Sequence, residues 1–336
     1  MENFIGKDKF FNYIVPKTDI NIICIIKKII RKILKILKLS KKIVIHYDID
    51  EIYPHTLNKY VKKIDKIHNF DVIWVEYVWY SKILKAFDNN KVKIIDTHDV
   101  FSNREQLFLK NGEEPKWYYT TKAKEAKALS RANYVIAIQE EENKFFKKIV
   151  SNGVNVVTIG NTIEIQEPCK VYNKNFMFVG SNNDLNITSI KYFINNLLPK
   201  IKIQNPESKF YIVGSVCNSI PDSDKYTKLG FVKDIKEAYK SARLVINPIQ
   251  NGTGLNIKTI EALGYSKPLI TTVCGAKGLD IEKNNYIIAK NDEEFCKKVT
   301  EVLNSDSLTD MLSKKAFDFA NNYNISCIQS LKEIFK

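Results

Sequence analysis

At 336 residues, with 44% apolar and 27% charged residues, the chain is long enough for two cores of about 150 residues each, and its composition is not that of a disordered protein. The formal net charge of +14 is concentrated early: residues 1–160 hold 29 Lys and Arg against 19 Asp and Glu (+10), and the remainder holds 23 against 19 (+4). Six cysteines at 24, 169, 217, 274, 296 and 327 form no CxxC pair, which argues against a zinc site or a disulfide framework and leads us to expect a reduced, cytoplasmic protein without a metal requirement.

In chain order, the opening MENFIGKDKFFNYIVPK lacks the apolar run and small-residue cleavage site of a secretory signal, so none is expected. Residues 20–42, INIICIIKKIIRKILKILKLSKK, place Lys and Arg at 27, 28, 31, 32, 35 and 38 between Ile and Leu, a helical period with a basic stripe and a wide apolar face. The stretch is too charged to span a bilayer. Two readings stay open for it: a surface helix packing its apolar face on the first domain, or an in-plane helix drawn to an anionic membrane surface at the inner face of the plasma membrane.

Short β-branched runs follow, spaced by helix-length segments: KKIVIHY at 41–47, FDVIWVEY at 70–77, KVKIID at 91–96, ANYVIAIQ at 132–139 and NVVTIG at 155–160. A polar stretch containing Pro168, NTIEIQEPCKVYNK at 161–174, reads as an inter-domain linker. A second series begins with FMFVG at 176–180 and continues with KFYIVG at 209–214, KLGFV at 228–232, ARLVINP at 242–248, KPLITT at 267–272 and NYIIAK at 285–290. Strands alternating with helices predict an α/β fold of two doubly wound parallel-sheet domains facing across a cleft. The boundaries read as 1–160 for the N-terminal domain, 161–174 for the linker, 175–305 for the C-terminal domain and 306–336 for closing helices, with helices expected near 291–304, 306–321 and 324–335.

The stretch NPIQNGTGLNIKTIEALGYSKPLITT at 247–272 carries the most chemistry. A strand ends there, Gly252 and Gly254 relax the backbone, and a helix is expected from Leu255 to Tyr265. Amide groups at a helix start suit a phosphate, and glycines let it come close. Lys258 adds a full positive charge, and Glu261, three residues on, shares its face. A carboxylate beside a bound phosphate is better suited to neutral hydroxyls such as those of a ribose. GTGLNIK is neither a Walker motif nor GxGxxG.

This stretch resembles the donor-nucleotide segment of the retaining, nucleotide-sugar-dependent glycosyltransferases of family 4, which have the GT-B fold of two Rossmann-like domains. MFVGSNNDLNITSIKYFINNLLPKIKIQNPESKFYIVGS at 177–215 and LGFVKDIKEAYKSARLVINP at 229–248 are similar to the family's second domain. IIDTHDVFSNREQLF at 94–108 and EAKALSRANYVIAIQEEE at 125–142 are similar to its acceptor-side sheet. The resemblance covers about two-thirds of the chain, from roughly 70 to 290.

By this resemblance Glu261 matches the second glutamate of the family's E-x7-E motif, which binds the donor ribose. The first glutamate falls at Thr253, so the carboxylate expected on the donor sugar is replaced by a hydroxyl, with the amides of Gly254 and Leu255 beside it. The family's Arg and Lys after the first strand of the second domain are missing from GSNNDLN at 180–186, which leaves Lys258 for the diphosphate and Arg104 as a second cation; Gly180 and Ser181 line the diphosphate by backbone groups. The glycine-rich loop expected after the first strand of the N-terminal domain is not visible. His98 matches the active-site histidine near the donor sugar, Asp99 is read as orienting His98 or meeting the acceptor hydroxyl, and Gly230 and Phe231 resemble the turn that contacts the base. Glu76 and Tyr77 are placed at the cleft by topology alone.

The implied activity moves a sugar from a nucleotide-diphosphate sugar to a glycan or lipid-linked acceptor with retention, in surface polysaccharide or glycoconjugate assembly. The leaving diphosphate takes the acceptor's proton, so no enzymic nucleophile or metal is required. A nucleotide-sugar isomerase or phosphorylase of the same fold stays open. A nucleic-acid binder fits the charge but not the basic segment, which has few interleaved aromatics for base stacking.

Overall fold

The computed structural model describes residues 11, 13–16, 19, 21–110, 112–251, 255–279 and 285–336. The chain divides into two compact units, Met1–Thr158 and Ile159–Lys336.

The first unit carries a parallel sheet of β1 Val72–Glu76, β2 Val92–Asp96, β3 Tyr134–Ala137 and β4 Asn155–Thr158, whose spatial order follows the chain. Ile94, Ile95, Val135 and Ala137 are fully buried in it, as expected of parallel strands that read as continuous apolar runs. The run 41–47, expected as a strand, is none. It lies irregular beside the aromatic residues, with Tyr47 N donating to Tyr119 O at 3.0 Å and the Tyr47 ring edge-on to Tyr118 and Tyr119. A β-branched run makes a strand only where a neighbour offers a ladder, and here the sheet ends at β1.

The second unit carries β5 Phe176–Val179, β6 Phe210–Val213, β7 Thr227–Gly230, β8 Leu244–Asn247, β9 Leu269–Thr272 and β10 Ile287–Ala289, all parallel, in the order β10-β9-β8-β5-β6-β7. Counted from β5, this is the 3-2-1-4-5-6 arrangement of a doubly wound dinucleotide-type sheet. The chain leaves β5 towards β6 and β7, then returns past it to β8, so the order reverses between β5 and β8. Loops leaving those two carboxyl ends part in opposite directions and open a crevice. The core beneath is aromatic: Phe176 stacks on Phe210 at 4.8 Å, and Phe193 packs against both. Such pairs each add about 0.5–1.5 kcal/mol beyond the area they bury.

Residues 161–174 have no helix or strand, yet they are tied to the second unit. Asn324 receives the Ile163 amide at 3.0 Å and donates back to its carbonyl at 2.7 Å, and Gln166 N donates to Gly264 O at 2.8 Å. The helices expected at 306–321 and 324–335 are one continuous helix, Asp306–Ile334. No Gly or Pro interrupts it, and its asparagines do not break it, because Asn321 bonds back to Phe317 O at 2.9 Å while Asn324 is taken by Ile163.

Candidate functional site

In the second unit the described residues singled out from the sequence lie at or beyond the carboxyl ends of β5, β7 and β8. Gly180 follows β5, and Gly214 follows β6 at φ +96, where a Cβ would run into the Gly180 carbonyl oxygen. Only glycine allows that backbone at that distance. Gly180 N donates to Val213 O at 3.0 Å and Gly214 N to Gly230 O at 2.7 Å, so the ends of β5, β6 and β7 are laced together. Gly230 has φ +65, and Phe231 beyond it is 87% exposed. Ser181 is exposed at the start of the loop.

The helix Ile257–Gly264 leaves the loop after β8, two residues later than the sequence suggested, which puts Lys258 in its first turn. Its start is locked from below: Asn247 Nδ2 donates to Thr259 Oγ1 at 2.8 Å, and Thr259 Oγ1 donates to Gly275 O at 2.9 Å. Gly252, Thr253 and Gly254 lie outside the described residues; Leu255, the next, is buried.

Lys258 is part-buried, its ammonium 5.3 Å from the centre of the Phe178 ring and hydrogen-bonded to Asn186 Oδ1. Burial pulls its pKa down to about 8, because removing an ammonium from water penalises the charged form. Asn186, 2% exposed, sits in the helix Asp184–Tyr192 that follows β5, and its Nδ2 donates to Ser181 O at 2.8 Å. One amide therefore fixes the loop after β5 and the lysine after β8. Glu261 is half-buried, burial raises its pKa, and among the described residues its carboxylate accepts no hydrogen bond. Lys258 and Glu261 thus stand three residues apart on one helix, the ammonium bound to Asn186 and the carboxylate accepting no hydrogen bond among the described residues. A separate cavity of about 350 Å³ beyond β8, β9 and β10, with Gln250, Thr272 and Lys277 in its wall, includes neither Lys258 nor Glu261.

In the first unit a second cluster stands at the ends of β1 and β2. Tyr77 (φ +65) and His98 (φ +59) both hold left-handed backbone, their rings stack at 4.3 Å, and the His98 ring nitrogen bonds Glu76. Such backbone costs a bulky residue about 1–3 kcal/mol and gathers at functional sites. Asp96 completes the group, its pKa raised by burial and by Glu76 against the lowering effect of His98. The potential ligand atoms of Glu76, Asp96 and His98 lie within 4.8 Å of one another, so these are the described residues able to hold a metal ion.

Asp99 and Arg104, read as chemical groups from the sequence, are engaged with each other at 2.7 Å, and Arg104 also lies over the Trp117 ring at 5.2 Å. The group that touches His98 is Glu76 rather than Asp99. Behind them Glu125 is fully buried and accepts from the amides of Phe101 at 3.0 Å and Ser102 at 2.8 Å. Glu142, 5% exposed, is pushed up to about 7 by burial with Asp99 nearby, and its Oε2 has no partner among the described residues. The sequence reading missed Asn186 and Glu142. An asparagine near a helix start has no local mark of such a role, so the sequence alone does not single out Asn186.

Residues 173–305 match the family model described as glycosyl transferases group 1. Over 181 residues the chain is 24% identical to an uncharacterized protein in the cps region of Klebsiella pneumoniae, covering 49% of this chain and 46% of that protein. Among solved structures it is similar to TarM, with TM-score 0.61, 16% identity, and 79% of this chain and 54% of that chain covered. It is also similar to Anabaena HepE in complex with UDP and glucose, with TM-score 0.57, 15% identity and 82% and 81% covered. Sucrose-phosphate synthase from Thermosynechococcus elongatus gives TM-score 0.61, 13% identity and 83% and 77% covered. The chain thus spans about half the length of the Klebsiella protein and of TarM. These likenesses establish the fold as α/β of the GT-B type, with its two parallel sheets.

Proposed function

We propose that the protein is a glycosyltransferase that takes a sugar from a nucleotide-diphosphate sugar and passes it, with retention, to a glycan or lipid-linked acceptor in surface polysaccharide or glycoconjugate assembly. The observation that carries this reading is that Lys258 and Glu261 stand three residues apart on the helix after β8, the ammonium held by Asn186 and the carboxylate accepting no hydrogen bond among the described residues. The match of residues 173–305 to glycosyl transferases group 1 supports it, and the cps region in the Klebsiella protein's name supports the polysaccharide setting.

In this reading Lys258 meets the diphosphate, Glu261 accepts from the ribose hydroxyls, Gly180 and Ser181 bring backbone to the phosphates, and Gly230 with Phe231 meets the base. Gly252, Thr253, Gly254 and the amide of Leu255 complete the donor loop. The bond from the anomeric carbon to phosphate oxygen breaks, the bond to the acceptor oxygen forms, and the acceptor's proton passes to the departing phosphate. A fixed donor aimed at the growing negative charge is the main source of rate, and losing one costs about 3 kcal/mol, or 10² to 10³ in rate. His98 is assigned to the donor sugar, and Asp99 and Arg104 to its surroundings. No metal step is part of the proposal.

The test is a panel of nucleotide sugars scored by thermal stabilisation, followed by transfer assays and determination of the product's anomeric configuration. A ligand at a hundred times its Kd stabilises by about 2.7 kcal/mol, which a melting curve resolves. Failure of every nucleoside diphosphate and nucleotide sugar to stabilise the protein overturns the reading, and nucleotide release without an acceptor moves it to an isomerase.

A further inference from the structure

The helix Ile22–Ile36 is mounted with its apolar side outward. None of its residues is buried, and its eight isoleucines are between 39% and 70% exposed. The residues turned inward are Cys24, Lys27, Arg31 and Leu34, spaced three and four apart. Arg31 grips Glu51 through both oxygens at 2.6 and 3.0 Å, donates to Ile45 O at 3.1 Å and lies 3.5 Å over the Tyr47 ring. Lys27 pairs with Asp48. Ion pairs, and not the isoleucines, fasten this helix to the first unit, which overturns the reading in which its apolar face packs on the domain.

We propose that this face is a docking surface for an anionic lipid bilayer, with the helix lying in the membrane plane. The argument is charge complementarity around a wide apolar stripe. The isoleucines occupy about 160° of the helix at 100° per residue. Lys28 and Lys32 line one edge of the stripe, both exposed and neither paired with a carboxylate among the described residues, and the helix contains no Asp or Glu. An apolar stripe edged by lysines enters the boundary between headgroups and acyl chains while the ammonium groups reach the phosphates. The fastening has a consequence too: with Lys27 and Arg31 spent on Asp48 and Glu51, the stripe is held outward before any membrane is met. This inference does not depend on the transferase reading.

Flotation of the full chain tests it, using vesicles of phosphatidylcholine alone and of phosphatidylcholine mixed with phosphatidylglycerol. The protein is expected to float with the mixed vesicles and far less with the neutral ones, since each near-surface cation adds about fivefold in affinity. The pair Lys28→Glu and Lys32→Glu should remove the charge dependence, and the pair Ile29→Glu and Ile33→Glu should abolish flotation on both vesicles. All four positions are exposed, so circular dichroism and the melting temperature should match the parent and separate lost docking from lost folding. Flotation unaffected by the isoleucine pair overturns the proposal. So does an isoleucine-dependent dimer, seen by light scattering in a protein that ignores both vesicles, because a second copy would then cover the face.

Discussion

The Lys258 ammonium hydrogen-bonds the side-chain oxygen of Asn186, joining the helix after β8 to the helix after β5 through one polar contact at the strand-order reversal. Asn186 is buried and also donates to Ser181 O, so it sets the distance between the lysine and the loop that leaves β5. Replacing it with Ala strands the Ser181 carbonyl and frees the lysine. We expect Asn186→Ala to weaken nucleoside diphosphate binding about tenfold, the equivalent of about 1.4 kcal/mol, and to lower stability by a similar amount. Calorimetric titration reads the first and melting reads the second. A variant that loses stability alone would make Asn186 a packing residue.

The depressed pKa of Lys258 gives donor binding a pH signature. Free in the folded protein, the amine titrates near 8 instead of its ordinary 10.5, while a bound diphosphate favours the ammonium. Affinity for a nucleoside diphosphate should therefore be independent of this group below pH 8 and fall above it, by up to about tenfold per pH unit. Folding carries the opposite sign: the cost of burying the ammonium is in full force below pH 8 and shrinks as pH rises from 8 towards 10.5. Lys258→Met should thus bind donor poorly and without the alkaline fall, yet melt no lower than the parent at neutral pH. Titrations of both proteins across pH 7 to 10 check this, and a parallel alkaline fall in the variant would remove Lys258 from the phosphate.

His98, bonded to Glu76, sits on left-handed backbone, which dictates how to test it. Asparagine tolerates positive φ better than most residues, so His98→Asn removes the ring without adding strain. General acid–base or polar assistance from a positioned side chain is worth about 10² to 10⁴ in rate, and we expect His98→Asn to lose about a hundredfold in kcat with donor affinity unchanged. Glu76→Gln keeps a hydrogen-bonding partner for the ring and should cost less, about tenfold, in kcat and not in KM. Initial-rate kinetics separate these outcomes, and an undiminished kcat in His98→Asn would reduce the cluster to structure.

The central strands of the second unit are legible because they are apolar runs buried within the sheet, as in LVIN of β8, whose four residues are all buried, whereas the edge strand β7, TKLG, has none buried. Lys258 and Glu261 stand out in the sequence as charges on the first turns of a helix behind glycines, and the structure puts both on the helix Ile257–Gly264. Asn186 does not stand out, because an asparagine two residues into a helix looks like an ordinary start; its role exists only once the fold brings Lys258 to it. The run 41–47 failed as a strand for want of a neighbouring ladder, a fact of topology that no local pattern carries. Periodicity revealed the amphipathic helix but not its orientation, which Asp48 and Glu51 decide from outside its sequence.

Glu142 offers a test of the first unit's interior. Its carboxyl is 5% exposed, its Oε1 accepts from Gln139 Nε2 at 3.1 Å, and its Oε2 has no partner among the described residues. Burial, with Asp99 adding repulsion, lifts its pKa from 4.5 to about 7. An acid whose folded pKa is raised favours folding in its protonated form, so the benefit is complete below pH 4.5 and lost as pH climbs through 7. Above that the folded chain holds an underserved buried anion. Glutamine keeps the Oε1 acceptor, removes the charge and nearly preserves the volume. Glu142→Gln should accordingly melt within a degree or so of the parent near pH 5 and above it at pH 8, by up to about 3 kcal/mol if the whole shift is recovered. Denaturant unfolding at the two pH values measures the difference. Equal stability gain at both would show that the anion is not what the substitution relieves, and a loss at pH 8 would mean that the bare oxygen has a partner the anion needs.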